Sequence, residues 1–219
     1  MPRGKLVVGM GLPGSGKSTL FAALGGMLFE KSCDATVYRE PEEEFWPDAV
    51  KHREQYGRIG ALTWFRSMRV PNLYKADKDR NEGKIALVDS YYDKLIYLYF
   101  DHPGFGWLMP SNDPYRTVYK ALIEKDYDTL PNADCVITIT VTEERWSEYV
   151  NGRARELDRK SNLLGTFSTQ DEFVRSCKEY CAEQGIPHIE FANCQTPVVN
   201  SASQLYARLL EAGVIALGR

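Results

Sequence analysis

The chain reads as an α/β protein with a five-stranded parallel sheet between helical layers, and three observations predict this. Short apolar runs rich in β-branched residues alternate with longer stretches of helical spacing, which is the pattern of a parallel sheet covered on both faces. The first run passes directly into the glycine-rich stretch GLPGSGKST at residues 11–19, and a helical pattern follows it. Finally, 43% hydrophobic and 26% charged residues describe an ordinary globular chain, and no apolar run approaches the ~20 residues of a membrane-spanning helix.

Taken in order, the strands are expected at Lys5–Met10, Ala35–Tyr38, Ile85–Asp89, Cys135–Val141 and His188–Phe191. Helices are expected over Lys17–Phe29 after the loop, Trp46–Met68 as one long segment, and Tyr91–Tyr99 after the third strand. Thr142–Asp158 opens with Thr142 as cap and Glu143 and Glu144 in its first turn. Gln170–Gln184 stops at Gly185, and Ala202–Ala212 is the last helix. The proline-rich stretch of residues 101–132 reads as a surface insertion, so residues 1–219 form one domain. No repeat, linker or low-complexity tract interrupts it.

The N-terminal MPRGKLVVGM lacks the pattern of a signal peptide. Cys33, Cys135, Cys177, Cys181 and Cys194 are odd in number and have no framework spacing, which suits reduced thiols and a cytoplasmic setting. A net charge of −3 argues against coating nucleic acid as the main task. His52, His102 and His188 show no metal-ligand spacing.

The stretch at 11–19 fits G-x-x-x-x-G-K-[ST] in full and lies between a strand and a helix. Gly11, Gly14 and Gly16 let backbone N–H groups turn inward as a nest for phosphate oxygens, together with Ser15, Ser18 and Thr19 at the helix start. Lys17 can reach the β- and γ-phosphates, and the Ser18 hydroxyl can ligate Mg²⁺. A nucleoside triphosphate is the expected ligand. There is no N-K-x-D motif of the kind that reads guanine, and the chain is short for a motor ATPase. Transfer to an acceptor is therefore expected rather than hydrolysis.

Three stretches bear on that transfer. The third strand ends IALVDSYYDK, so Asp89 stands at the carboxyl edge of the sheet, where it can hold the hydration shell of Mg²⁺. The second strand ends VYREPEEEFWP, which brings Arg39 and Glu40 to the same edge, with Glu40 as general base or as a partner for an acceptor sugar. In NGRARELDRK, Arg153, Arg155 and Arg159 can close over the transferring phosphoryl group. The segment LTWFRSMRV offers Trp64 and Phe65 for stacking on a base and Arg66 and Arg69 for its edge.

The succession GLPGSGKST, REP, VDSYY and RARELDR resembles the thymidylate kinase and deoxynucleoside kinase group of P-loop kinases, over most of residues 5–195. The resemblance implies a five-stranded parallel core, ATP and Mg²⁺, an arginine lid at about residues 150–165, and a nucleoside or nucleotide acceptor. It also implies a homodimer, substrate contacts at Arg39, Glu40, Asp89 and Tyr91, and an adenine site near Asn193–Pro197. Two departures stand out. Glu42, Glu43 and Glu44 replace the glycine-glycine-threonine that follows REP in thymidylate kinases, and Asp89-Ser90-Tyr91 replaces their Asp-Arg-Tyr. The lost cation can come from Arg66 or Arg69. Two other readings stay open: a kinase of a hydroxyl on a modified base or an end in DNA, tracked by the basic stretch Arg66–Lys84, and a nucleotide-binding switch with little turnover.

Overall fold

The computed structural model describes residues 3–153, 166–193 and 197–216. Five parallel strands run in the order β2-β3-β1-β4-β5. They are β1 (Lys5–Gly11), β2 (Ala35–Tyr38), β3 (Ile85–Val88), β4 (Cys135–Thr140) and β5 (His188–Ala192). β1 lies at the centre, with Val7 opposite Leu87 of β3 and Cys135 of β4.

Strand periodicity divides the core in two. Leu6, Val8 and Met10 of β1 face one apolar cluster, and Val7 faces the other. The first cluster is covered by α4 (Arg58–Asn81), α5 (Tyr92–Tyr99), α6 (Arg116–Thr129) and α8 (Gln170–Gln184). The second is covered by α1 (Lys17–Glu30) and α9 (Val198–Glu211). This is the expected three-layer arrangement. Its consequence for function is geometric: all strand ends that carry Gly11, Arg39, Asp89 and Asn193 emerge on one edge.

The long helix expected over Trp46–Met68 is instead three pieces. α2 (Asp48–Lys51) and α3 (Arg53–Tyr56) are single turns, and α4 starts only at Arg58. The break is Gly57, whose φ of 90° and ψ of 151° lie in a region open in practice to glycine alone. Beyond Met68 the helix runs through Pro71, which is exposed, to Asn81. One lost backbone hydrogen bond on the solvent side is outweighed by burial of Leu73 and Ala76 on the inner side. Residues 41–57 pack through a small separate cluster of Trp46, Val50 and Ala61, joined by Trp64 and Phe65.

The stretch of residues 101–132 is likewise more than a surface insertion. Between Pro114 and Pro131 it forms α6, which packs on α5 and sinks Tyr119 and Ile123 into the core. Their spacing of four residues is the helical signal that the prolines obscure. α7 (Glu143–Arg153) begins as expected, with the Thr142 hydroxyl accepting from the Arg145 amide, and the expected continuation to Asp158 lies outside the described residues. Cys135, Cys177 and Cys181 are buried free thiols, raised in pKa by burial. Among the described residues no cluster of His, Cys, Asp and Glu is arranged to hold a metal, and no helix is long and apolar enough to cross a membrane.

Candidate active site

A cleft of about 600 Å³ opens along the edge where the strands end. Its floor is the glycine-rich loop. Gly14 and Gly16 have φ of 83° and 81°, and at Gly16 an added Cβ would stand 2.7 Å from the Asn193 amide nitrogen. Only glycine meets both demands. Two distant side chains brace this loop: Trp146 Nε1 donates to the Pro13 carbonyl at 2.8 Å, and Asn193 Nδ2 donates to the Ser15 carbonyl at 3.0 Å. Trp146 gave no signal in the sequence. Asn193, expected near adenine, here secures the loop.

Lys17 is only 8% exposed. Its ammonium donates to the Gly11 and Leu12 carbonyls at 3.1 and 2.8 Å and to the Tyr92 hydroxyl at 3.1 Å. Burial pushes its pKa down to about 8, against the opposing pull of Glu40 and Asp89. The Tyr92 hydroxyl in turn donates to the Gly11 carbonyl. Asp89 is 2% exposed, accepts from the Glu40 amide at 3.1 Å and from the Ser18 hydroxyl, and is raised to about 6 by burial and then by the Glu40 charge.

The opposite side of the cleft centres on Arg69. Its Nη1 meets Glu40 Oε1 at 3.0 Å, while Nε and Nη2 bind both oxygens of Asp93 at 2.6 and 3.1 Å. Burial alone would raise the Glu40 carboxyl, but Arg69 and Lys17 outweigh it and hold Glu40 below its ordinary range. The guanidinium lies 5.4 Å from the Phe65 ring and 5.5 Å from the Tyr92 ring. Phe65 meets Trp46 edge-on at 5.1 Å, and Trp46 Nε1 donates to the Pro41 carbonyl at 3.0 Å. Arg58, Leu62, Phe65 and Arg69 follow one another at helical spacing along the cleft face of α4, a span of about 16 Å. Trp107 and Leu108 close the far wall, with the Trp107 carbonyl accepting from Arg58 at 2.6 Å.

The solved structure of thymidylate kinase from Candida albicans matches this chain with a TM-score of 0.62 at 15% identity, over 97% of this chain and 93% of that one. The fold is thymidylate kinase-like. No family model matches the chain, and no curated protein matches it in sequence. The likeness extends over 97% of this chain, so the three-layer architecture with five parallel strands expected from the motifs is the architecture present.

Several candidate residues come together in the cleft: Gly14, Gly16, Lys17, Ser18, Thr19, Arg39, Glu40 and Arg69 all line it, while Gly11, Ser15 and Asp89 sit directly behind. Others do not arrive there. Tyr91 is 1% exposed and gives its hydroxyl to the Pro131 carbonyl at 2.7 Å; its neighbour Tyr92 faces the cleft instead. Arg66 lies on another face of α4 and forms a two-pronged pair with Asp126 of α6 at 2.6 and 2.7 Å, so Arg69 alone of the two brings a cation to the cleft. Trp64 packs edge-on against Phe65, outside the cleft lining. Arg153 is described only as the last residue of α7, and Arg155 and Arg159 lie outside the described residues. The basic stretch Arg66–Lys84 is largely neutralised within the molecule: Arg80 meets Asp77 and Asp134, and Lys84 meets Asp79 and Glu82. Tyr92, Asp93 and Trp107 were missed because nothing in their local spacing distinguishes them from core residues.

Proposed function

We propose that the chain is an ATP-dependent phosphotransferase that moves the γ-phosphate of ATP to a deoxynucleoside or a deoxynucleoside monophosphate. The observation that carries this reading is the convergence of Lys17, Glu40, Asp89 and Arg69 in one partly buried charge cluster between the glycine-rich loop and an aromatic wall. Water-driven switching needs no such second half. In this reading the loop amides and Lys17 hold the donor phosphates, and Phe65 with Trp46 offers ring faces to the acceptor base. The bond between the γ-phosphorus and the oxygen it shares with ADP breaks, and an acceptor oxygen forms the new bond to phosphorus. If that oxygen is a hydroxyl, its proton passes to the ionised Glu40 carboxylate; a monophosphate needs no base. In this reading Arg153, Arg155 and Arg159, the last two outside the described residues, are the cations that lower the cost of charge on the moving group.

A Mg²⁺ ion fits the donor set, because the Ser18 hydroxyl and the Asp89 carboxylate are hard oxygen ligands and Asp89 is a buried carboxylate in want of positive charge. Those two residues would hold it, and it would neutralise charge on the phosphate oxygens.

The test is transfer of labelled γ-phosphate from ATP with Mg²⁺ to a panel of deoxynucleosides, their monophosphates, and plain and hydroxymethylated DNA. Label on a free nucleoside or nucleotide is expected. Label on DNA alone, or on no acceptor, overturns the reading.

A further inference from the structure

Arg69 is the cation nearest Glu40, yet its charge is already spent. A guanidinium has five N–H donors. Nε and Nη2 serve Asp93, Nη1 serves Glu40, and two donors remain. The side chain is 11% exposed and Asp93 is 6% exposed, so both charges are taken out of water and interact strongly. Within this trio one positive charge faces two carboxylates; behind it the Asp89 carboxylate accepts from the Glu40 amide, and the Lys17 ammonium acts on Glu40 and Asp89, so the cleft's carboxylates still outnumber these two cations. What Arg69 offers to a ligand is hydrogen-bond donors without surplus charge. A monophosphate would bring close to two further negative charges into this spot. On the cleft face of α4 the next cation is Arg58, about three turns away and paired with Glu54 at 2.6 Å, while Arg39 and Arg53 line the cleft from the segment after β2 and from α3.

Asp93 is the member of this set with no role in chemistry. It stands in the first turn of α5, four residues after Asp89, and both its oxygens accept from Arg69. We propose that Asp93 determines the charge of the acceptor: by neutralising Arg69 it makes the subsite favour an uncharged sugar hydroxyl and disfavour a monophosphate. Specificity of this kind comes from a cost imposed on the wrong ligand, not from an added contact to the right one. The inference rests on the kinase reading for its reaction but not for its geometry, which any ligand entering the cleft would meet.

The experiment compares kcat/KM for the four deoxynucleosides with kcat/KM for their 5′-monophosphates, in the wild-type chain and in Asp93→Asn. The wild type is expected to prefer the nucleosides. In Asp93→Asn, with Arg69 released, the ratio should move at least tenfold toward the monophosphates. An unchanged ratio overturns the proposal, since a merely structural Asp93 would lower both activities together. Calorimetric binding of the same eight compounds to the wild type gives a readout that needs neither the variant nor turnover. Tighter binding of monophosphates than of nucleosides there also overturns it. If the wild type transfers phosphate to nothing, the kinase reading fails, and the binding ratio, compared between the wild type and Asp93→Asn, still decides the role of Asp93: an equal ratio in the two overturns it.

Discussion

The two sides of the cleft are built in opposite ways. The donor side is one continuous stretch, residues 11–19, shaped by local backbone geometry and braced from outside by Trp146 and Asn193. The acceptor side is assembled from the end of β2 (Glu40), the middle of α4 (Phe65, Arg69), the start of α5 (Tyr92, Asp93) and the segment after α5 (Trp107). Its cohesion comes from buried ion pairs. The difference teaches that the donor side can lose a side chain without the fold noticing, whereas the acceptor side is held up by the same groups that would act on a ligand.

Arg69→Met breaks that comparison most forcefully. It leaves Asp93 buried and Glu40 half-buried without their shared cation, and removing one partner of a buried pair such as Arg69–Asp93 typically costs about 3–5 kcal/mol. We expect a large fall in the urea midpoint together with loss of phosphate transfer. A variant as stable as the wild type would show that the acceptor side is not held by this pair.

Lys17→Ala should do the reverse. Transfer should fall by at least ~10²–10³-fold, the loss expected when a charge aimed at the reacting phosphoryl group is removed. Stability should stay near that of the wild type, because the buried ammonium already pays for desolvation, as its pKa of about 8 records. Unchanged transfer would remove the donor assignment. A collapse in stability would erase the contrast with Arg69.

Trp46→Ala probes a smaller unit. Deleting a buried tryptophan from a main core commonly costs about 3–5 kcal/mol, but Trp46 belongs to the satellite cluster that residues 41–57 share with α4. The loss should therefore appear as faster amide exchange within residues 41–57 and a raised acceptor KM, with the global midpoint little changed. A fall in the midpoint as large as for a core tryptophan would mean that this segment is part of the main fold.

The same contrast explains what could be read from the residues in order. The loop was legible because the constraints that define its motif are local: positive φ at Gly14 and Gly16, and a hydroxyl and an ammonium at fixed offsets; its long-range braces, Trp146 and Asn193, were not. The strands and Gln170–Gln184 were legible because apolar periodicity reports burial directly. Arg66 and Arg69 were indistinguishable on paper, being two cations in one helix. What separates them is the identity of the helix packed against each face, Asp126 of α6 for one and Asp93 of α5 for the other. Likewise Tyr91 and Tyr92 differ only in which side of α5's first turn meets the core. Such choices belong to tertiary packing, and no spacing rule contains them.

The smallest effect comes from a group remote from both sides of the cleft. His188 of β5 shares a 2.8 Å hydrogen bond with Thr138 of β4, and burial, helped by Lys178, lowers its pKa below 6.5 against the pull of Glu190. Between its folded value and 6.5 the unfolded chain binds more protons at this site than the folded one, so unfolding free energy falls as pH drops through that window. Asp89 contributes with the opposite sign: its raised value of about 6 means that its protonation on acidification favours the folded state. Subtracting the stability–pH curve of His188→Asn from that of the wild type removes the Asp89 contribution and isolates the histidine. The difference should rise with pH across the window and then level off, while phosphate transfer at neutral pH stays unchanged in the variant. A flat difference would mean that His188 protonates as easily in the sheet as in water. A change in transfer would mean that the scaffold beneath the two sides of the cleft couples them, which the separation between local loop and buried ion pairs does not allow.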